Sequence, residues 1–251
     1  MTECIHGLEI ERCDACAPRN LSTELRPQSA VRTTRARPAR KTAPIASTKP
    51  VEVDQGTRRI FHLTHVANMP SILAAGRVFS DAAGAKPVVD ISTAENRELR
   101  REVAVGATSV ASFVPFFLVP DANLWEGIRR GEADYRLNDA VRRSHASDFV
   151  LLVSTARAGG DKSVIADGDA ADPATLFSAL SELKGRMPRR LYDEEDALRV
   201  AEFLVPEQFE FSAVTLVGVA NDKVRSTVRE QLSAHGYAQK VSVYPPWFQR
   251  P

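Results

Sequence analysis

Arg59-Ile60-Phe61-His62-Leu63-Thr64 runs on into His65-Val66-Ala67-Asn68-Met69-Pro70-Ser71-Ile72-Leu73-Ala74-Ala75-Gly76. The first six residues alternate as a half-buried strand does. Asn68 is placed to cap the helix that follows, and Pro70 is tolerated in its first turn. Ile72, Leu73 and Ala75 give that helix an apolar side, and Gly76 suits its C-cap. Alternation sets His62 and Thr64 on one strand face. Asn68 opens a helix whose free N–H groups favour phosphate or another polar ligand. Taken alone, the same run reads equally well as a satisfied histidine beside a helix cap.

Outward from this stretch, strands and helices mix. Phe113 to Leu118 reads as a strand that Pro115 confines to an edge or a bulge. Asp148 to Ser154 is the strongest buried-strand signal, and Ser212 to Ala220 and Lys240 to Val243 read as two more. Pro173 to Leu183 reads as a helix, and Asn221 is placed to cap another that runs to about His235. The order lacks a regular βαβ rhythm. It predicts an α+β domain over 57–251: a twisted mixed sheet, mostly antiparallel, with flanking helices.

Upstream, composition changes. Residues 21–56 are rich in Pro, Ser, Thr, Arg and Ala, with few large apolar residues, which predicts a disordered linker. Arg26, Arg32, Arg35, Arg37, Arg40, Lys41 and Lys49 make it basic, although the chain's net charge is only +1. Such an arm can hold a polyanion by counterion release without reading its sequence. All three cysteines fall within residues 1–20. Cys4 and His6, followed by Cys13 and Cys16, make a complete tetrahedral zinc set and predict a small structural zinc knuckle. The plainer alternative is a tail with free thiols. An odd, clustered cysteine set argues for a reducing compartment. With no secretory signal pattern and no apolar run long enough for a membrane helix, the expectation is a cytoplasmic protein that does not engage a membrane.

Common catalytic motifs are missing: no Walker A loop, no G-x-G-x-x-G after a strand, no H-E-x-x-H and no G-x-S-x-G. Three further runs bear chemistry. Glu95-Asn96-Arg97-Glu98-Leu99-Arg100-Arg101 reads as a solvated helix face, or as a helix with one arginine turned into a site. Phe116 and Phe117 read as core, or as an aromatic wall for a ring. Glu202 sits amid Ala201, Phe203, Leu204 and Val205, where a carboxylate costs free energy unless it has partners or a task.

In this order, F-H-L-T-H-V-x-N-M-x-x-I-L-x-x-G, V-P-F-F-L and A-E-F-L-V-P resemble the DarT-type DNA ADP-ribosyltransferase toxins, relatives of the poly(ADP-ribose) polymerase fold. The resemblance runs from about Ile60 to the C-terminus. It implies that His62, Thr64 and Asn68 bind NAD⁺, with Phe116 and Phe117 at the same site, and that Glu202 is the catalytic glutamate. It implies that Arg100 acts on the target base, although Arg97 and Arg101 also fit that alignment. Ala166-Asp167-Gly168 matches a run near a substrate-facing loop. Where the family commonly continues P-R-S-P-M-L, this chain has Pro120-Asp121-Ala122-Asn123-Leu124 and loses the arginine, which opens the target preference. The implied partners are single-stranded DNA and a macrodomain antitoxin that removes the ADP-ribose. Transfer to RNA or protein, and a non-enzymatic nucleic-acid-binding module, stand as alternatives.

Overall fold

The structure, a computed structural model, describes residues 55–84, 86–183, 187–188, 190–193 and 196–250. The zinc set Cys4, His6, Cys13 and Cys16 and nearly all of the basic linker lie outside the described residues. Gln55 and Gly56, assigned by sequence to the linker, belong to the fold: Gln55 is buried in a 3-10 turn, Gln55–Thr57.

The strands are β1 (Arg59–His65), β2 (Arg77–Phe79), β3 (Ala104–Val105), β4 (Thr108–Ser109), β5 (Phe113–Phe117), β6 (Phe149–Thr155), β7 (Val164–Ala166), β8 (Phe177–Ala179), β9 (Glu202–Pro206), β10 (Gln208–Glu210), β11 (Leu216–Val219) and β12 (Lys240–Val243). The helices are α1 (Met69–Ala75), α2 (Ala94–Glu102), α3 (Asn123–Arg130), α4 (Asp139–Arg142), α5 (Arg190–Asp193), α6 (Ala197–Val200) and α7 (Asp222–Ala234). Eight strands form one sheet in the order β12-β11-β6-β1-β5-β9-β7-β8. Every pairing in it is antiparallel except β11 with β12, which are joined through α7. The α+β expectation stands at this level.

β1 lies at the centre. It pairs along its whole length with β6, from Arg59↔Thr155 to His65↔Phe149. Both faces are covered, so the half-buried reading of this strand falls short. One face adds Ile60 to a cluster with Met69, Leu73, Leu152, Val217 and Val228, under α1 and α7. The other adds Phe61 and Leu63 to Trp125, Ile128, Val141, Leu151 and Phe248, under α3, α4 and the C-terminal segment. Gly76 ends α1 in the left-handed region at φ 71°, where glycine carries no Cβ penalty. Asn221 caps α7, its side chain accepting from Val224 N.

Pro115 does not mark an edge. β5 is an interior strand, fully paired with β9 from Phe113↔Pro206 to Phe117↔Glu202. Its pairing with β1 is confined to Phe61↔Phe117. Continued, that register would set Leu63 opposite Pro115, which has no N–H to give. The proline therefore interrupts one ladder, and β1 and β5 part where the next rung would form.

The helix read over 173–183 is absent. Its middle is strand β8, paired with β7. Aspartates upstream capture the backbone first: Asp169 Oδ1 accepts from Ala171 N, Asp172 Oδ1 from Ala174 N and Asp167 Oδ1 from Leu176 N. Such side-chain-to-backbone bonds compete with helix formation. The strand read over 212–220 shortens to β11 because Phe211–Ala213 is a 3-10 turn. Among the described residues, no helix is long and apolar enough to cross a membrane.

Candidate active site

The break between β1 and β5 opens onto a cavity of about 490 Å³. That volume is in the range of small-molecule sites. His62 and Thr64 reach it from β1, Asn68 from the head of α1, Phe113 and Phe117 from β5, Arg100 from α2, and Glu202 from β9. Side chains from five elements, far apart in the chain, thus share one wall.

Glu202 is the first residue of β9, between β5 and β7. Its side chain is 11% exposed. The Arg100 guanidinium meets it with two prongs, Nη1 to Oε1 at 3.2 Å and Nη2 to Oε2 at 3.1 Å. Ala170 N also donates to Oε1, at 2.9 Å. The cost of burying a carboxylate here is offset by a bidentate cation and a backbone N–H. Burial opposes the charge on Arg100, but Glu202, with further help from Asp169 and Asp81, outweighs it and raises the guanidinium above its ordinary pKa.

α2 carries three arginines within five residues, and the structure separates them. Arg97 pairs with Asp90 and reaches Asp81. Arg101 lies outside, between Glu98 at 2.7 Å and Asp81 at 3.0 Å. Arg100 is the one that meets Glu202. Thr93 fixes the helix start by accepting from Asn96 N.

Burial lowers the pKa of His62, only partly countered by its bond to Pro115. Its Nδ1 lies 2.8 Å from the Pro115 carbonyl oxygen. A carbonyl only accepts, so Nδ1 carries the proton and Nε2 of the neutral ring is left an acceptor. The carbonyl that β1's ladder does not use therefore orients the histidine.

Asn68 heads α1 but makes no side-chain cap there. Its Nδ2 donates to Thr64 Oγ1 at 3.2 Å and to Val89 O at 2.9 Å, and its Oδ1 accepts from Val89 N at 2.9 Å. It thus fastens the segment around Val89 across the cavity's rim, and the capping role read from sequence goes unfilled. The two aromatics also part company. Phe117 lines the cavity. Phe116 is 2% exposed and faces the core, 5.4 Å from the His62 ring and 4.8 Å from Phe209 between centroids. It backs the histidine, and of the two aromatics only Phe117 is among the residues that line the cavity.

Asp167 is buried and tied to Leu176 N. The acid this loop gives to the cavity is Asp169. It binds Arg136 Nη1 at 2.6 Å, while Asp134 takes the other side of that guanidinium. Hydrogen bonds from Arg136 hold the Asp134 carboxyl below its usual range. Arg136, Asp169 and Asn96 were not singled out by sequence. Asn96 lines the cavity, and its buried Oδ1 has no partner among the described residues. A buried acceptor of that kind is available to a ligand's N–H or O–H. Its one sequence signal was its place in the 95–101 run. Among the described residues, no group of three or more His, Cys, Asp or Glu side chains could hold a metal ion.

A family model described as ssDNA thymidine ADP-ribosyltransferase, DarT, matches residues 61–249. Proteins named DNA ADP-ribosyl transferase from Mycobacterium tuberculosis and Mycobacterium bovis are each 25% identical over 212 residues, covering 74% of this chain and 86% of theirs. Thermus sp. 2.9 DarT in complex with NAD⁺ superposes with a TM-score of 0.62 at 20% identity, over 76% of this chain and 98% of that one. The same protein in complex with ADP-ribosylated ssDNA gives 0.63 at 21% identity, over 78% and 98%. Thermosipho africanus DarTG in complex with ADP-ribose gives 0.58 at 20%, over 76% and 51%. At such identities the superpositions carry the fold, while the family match spans both the cavity and the strands that build it. The chain belongs to the DarT family of NAD⁺-dependent DNA ADP-ribosyltransferases.

Proposed function

We propose that this chain transfers ADP-ribose from NAD⁺ to thymine in single-stranded DNA, with Glu202 and Arg100 as its catalytic residues. The observation that carries this reading is the buried, two-pronged pair of a carboxylate and a guanidinium in the cavity wall. His62, Thr64 and Asn68 hold the NAD⁺ side. The lone pair on His62 Nε2 accepts a ligand hydroxyl or amide proton, and Asn68 keeps the Val89 segment in place around the dinucleotide. Phe117 supplies an apolar wall.

Breaking the bond between nicotinamide and ribose develops positive charge at the anomeric carbon. A fixed carboxylate there stabilises the transition state more than the ground state. Nicotinamide leaves as a neutral ring, so no general acid is needed. The acceptor does need a base, because the one ring N–H of thymine, at N3, is a poor nucleophile. Glu202 takes that proton while N3 bonds to the anomeric carbon. Arg100 turns a prong to the neighbouring base carbonyl as charge builds there. N3 is hidden in a duplex, which accounts for a single-stranded substrate.

The product blocks base pairing, so the reading extends to the toxin of a toxin–antitoxin pair. A macrodomain ADP-ribosyl glycohydrolase is the expected antidote. The N-terminal Cys4, His6, Cys13 and Cys16 are proposed to bind one structural zinc ion. One equivalent of zinc, lost in Cys13→Ser, is the expected result of metal analysis. Metal-free purified protein would refute it.

Labelled NAD⁺ offered with single-stranded oligonucleotides of each base, RNA and protein tests the main reading. Label is expected on thymine-containing DNA, with wild type only. Glu202→Ala should abolish transfer and leave NAD⁺ affinity largely intact. Label confined to RNA, to protein or to another base overturns the substrate assignment. A Glu202→Ala variant with near-wild-type transfer overturns the mechanism.

A further inference from the structure

Next to the active-site cavity lies a second cleft of about 470 Å³, lined by Arg129, Arg130, Arg199 and Arg250 together with Asp121 and Glu126. Arg199 lines both cavities. The arginines are not equivalent. Arg130 pairs with Glu126 and Glu132, and Arg199 with Glu126 and Asp121. Arg129 and Arg250 form no ion pair among the described residues. Arg129 Nη1 donates to Gln249 O at 2.9 Å, and Arg250 donates to the carbonyls of Arg129 and Arg130 at 3.3 and 2.9 Å. Carbonyls take the protons but leave the charges in place.

Arg129 is also deeply placed. It is 8% exposed, and its guanidinium carbon sits 5.8 Å from the Trp125 ring centroid. Its Nε is buried and has no partner among the described residues. A buried guanidinium with an idle N–H and no paired counter-charge is costly to keep unless an anion fills the gap. Desolvation lowers its pKa and the neighbouring Arg130 adds to the fall, with only partial relief from Asp121, the same imbalance seen from another side. An anion with two acceptor oxygens and one negative charge would give the idle N–H an acceptor and offset half of the charge that Arg129 and Arg250 carry together.

We propose that this cleft seats a phosphodiester of the DNA strand flanking the modified nucleotide, held by Arg129 and Arg250, with Arg199 at the junction with the active site. The proposal rests on the single-stranded DNA reading above. It also meets the departure at Pro120-Asp121-Ala122-Asn123-Leu124, where the family's common arginine is lost. The Asp121 carbonyl here accepts from Arg199 Nε at 3.2 Å, and Glu126 pairs with the same guanidinium. A cation from α6 thereby stands beside that segment, three residues ahead of Glu202.

Anisotropy with labelled thymine oligonucleotides of about four and about twelve nucleotides, the span of single-strand site sizes, tests the proposal in the full chain. Arg250→Gln is the first variant. Arg129→Gln is the second, with its melting temperature recorded because the side chain is buried. Affinity for the longer strand should fall about tenfold at low salt, and the plot of log K against log salt should flatten by about 0.7 for each phosphate that the variant no longer neutralises. NAD⁺ affinity should hold. Wild-type affinity and slope in both folded variants overturn the proposal. So does competition by inorganic phosphate that Arg250→Gln abolishes while the strand binds that variant unchanged, since the cleft is then a site for free phosphate. A wild type that labels no DNA, but whose strand binding still falls in Arg250→Gln, sinks the transfer reading and leaves the cleft assignment standing.

Discussion

Glu202 and Arg100 meet with side chains 11% and 14% exposed, so each is the other's main replacement for water. Removing one leaves a buried charge without its partner, and either Glu202→Leu or Arg100→Leu alone should cost about 3–5 kcal/mol. Removing both takes the two charges away together and strands only the Ala170 N–H, so the double variant should recover part of that loss while staying inactive. Urea titration of the four proteins checks the coupling, and additive single losses would refute it. The imidazoles set a pH dependence. Burial lowers the pKa of both His62 and His65 from the ordinary value of 6.5. Below that value the unfolded chain takes up protons that the folded chain refuses. Stability is therefore whole above about pH 6.5 and falls as pH drops from there toward the lower folded values. Replacing His62 with Gln should flatten that fall in melting temperature. Charge and apolar context marked Glu202 in the sequence. The choice of Arg100 over Arg97 and Arg101 depends on acids from three other segments, Asp81, Asp90 and Glu202, and no local pattern contains those.

Among the elements, the strands and caps that depend on their own residues were legible: β5, β6, β12, the Gly76 stop and the Asn221 cap. The failures occurred where distant chain competes. Pro115 reads as the mark of an edge or a bulge because its missing N–H is a local fact; it interrupts one ladder from inside the sheet, where its carbonyl is taken by a histidine side chain from β1. Asn68 has the composition of a cap, yet its amide finds a better partner in the Val89 backbone. Over 173–183, Asp172 and Asp167 take the Ala174 and Leu176 N–H groups into turns, and the chain that follows pairs with β7 as β8. Between β9 and β10, Glu207 holds φ at 60°. Its N–H bonds Ser112 O at 2.7 Å and its carbonyl accepts from Ser80 N at 2.8 Å, so the turn is pinned from both sides. A left-handed non-glycine residue costs about 1–2 kcal/mol. Glycine there sheds that cost but brings about 0.5–1 kcal/mol of chain entropy. Glu207→Gly should therefore leave the melting temperature unchanged or raise it by a few degrees, and a clear drop would show that the side chain itself matters.

The described domain is held at one end by Trp247. Its ring packs on Phe61 and Tyr244, at 5.5 and 4.7 Å between centroids, and its carbonyl accepts from Trp125 Nε1 at 2.6 Å. Gly218 in β11 makes room for that ring, since a Cβ there would sit 2.7 Å from its Cζ3. Gly218→Ala should destabilise the fold by about 1–3 kcal/mol through overpacking, read as a lower midpoint in urea. The mutation should leave the Glu202 end of the sheet intact, so residual activity below the midpoint should be near normal. The strand order was beyond the sequence, because local periodicity names strands without naming neighbours. That order governs when each pairing can close as the chain is made. β1 emerges first but waits for β6, and β6 has an open side until β11 arrives after Glu202 has already passed. Pairings so distant in sequence close slowly. Every residue that lines the cavity lies at or before Glu202, so the site's side chains are all made before the strand that closes the sheet behind them.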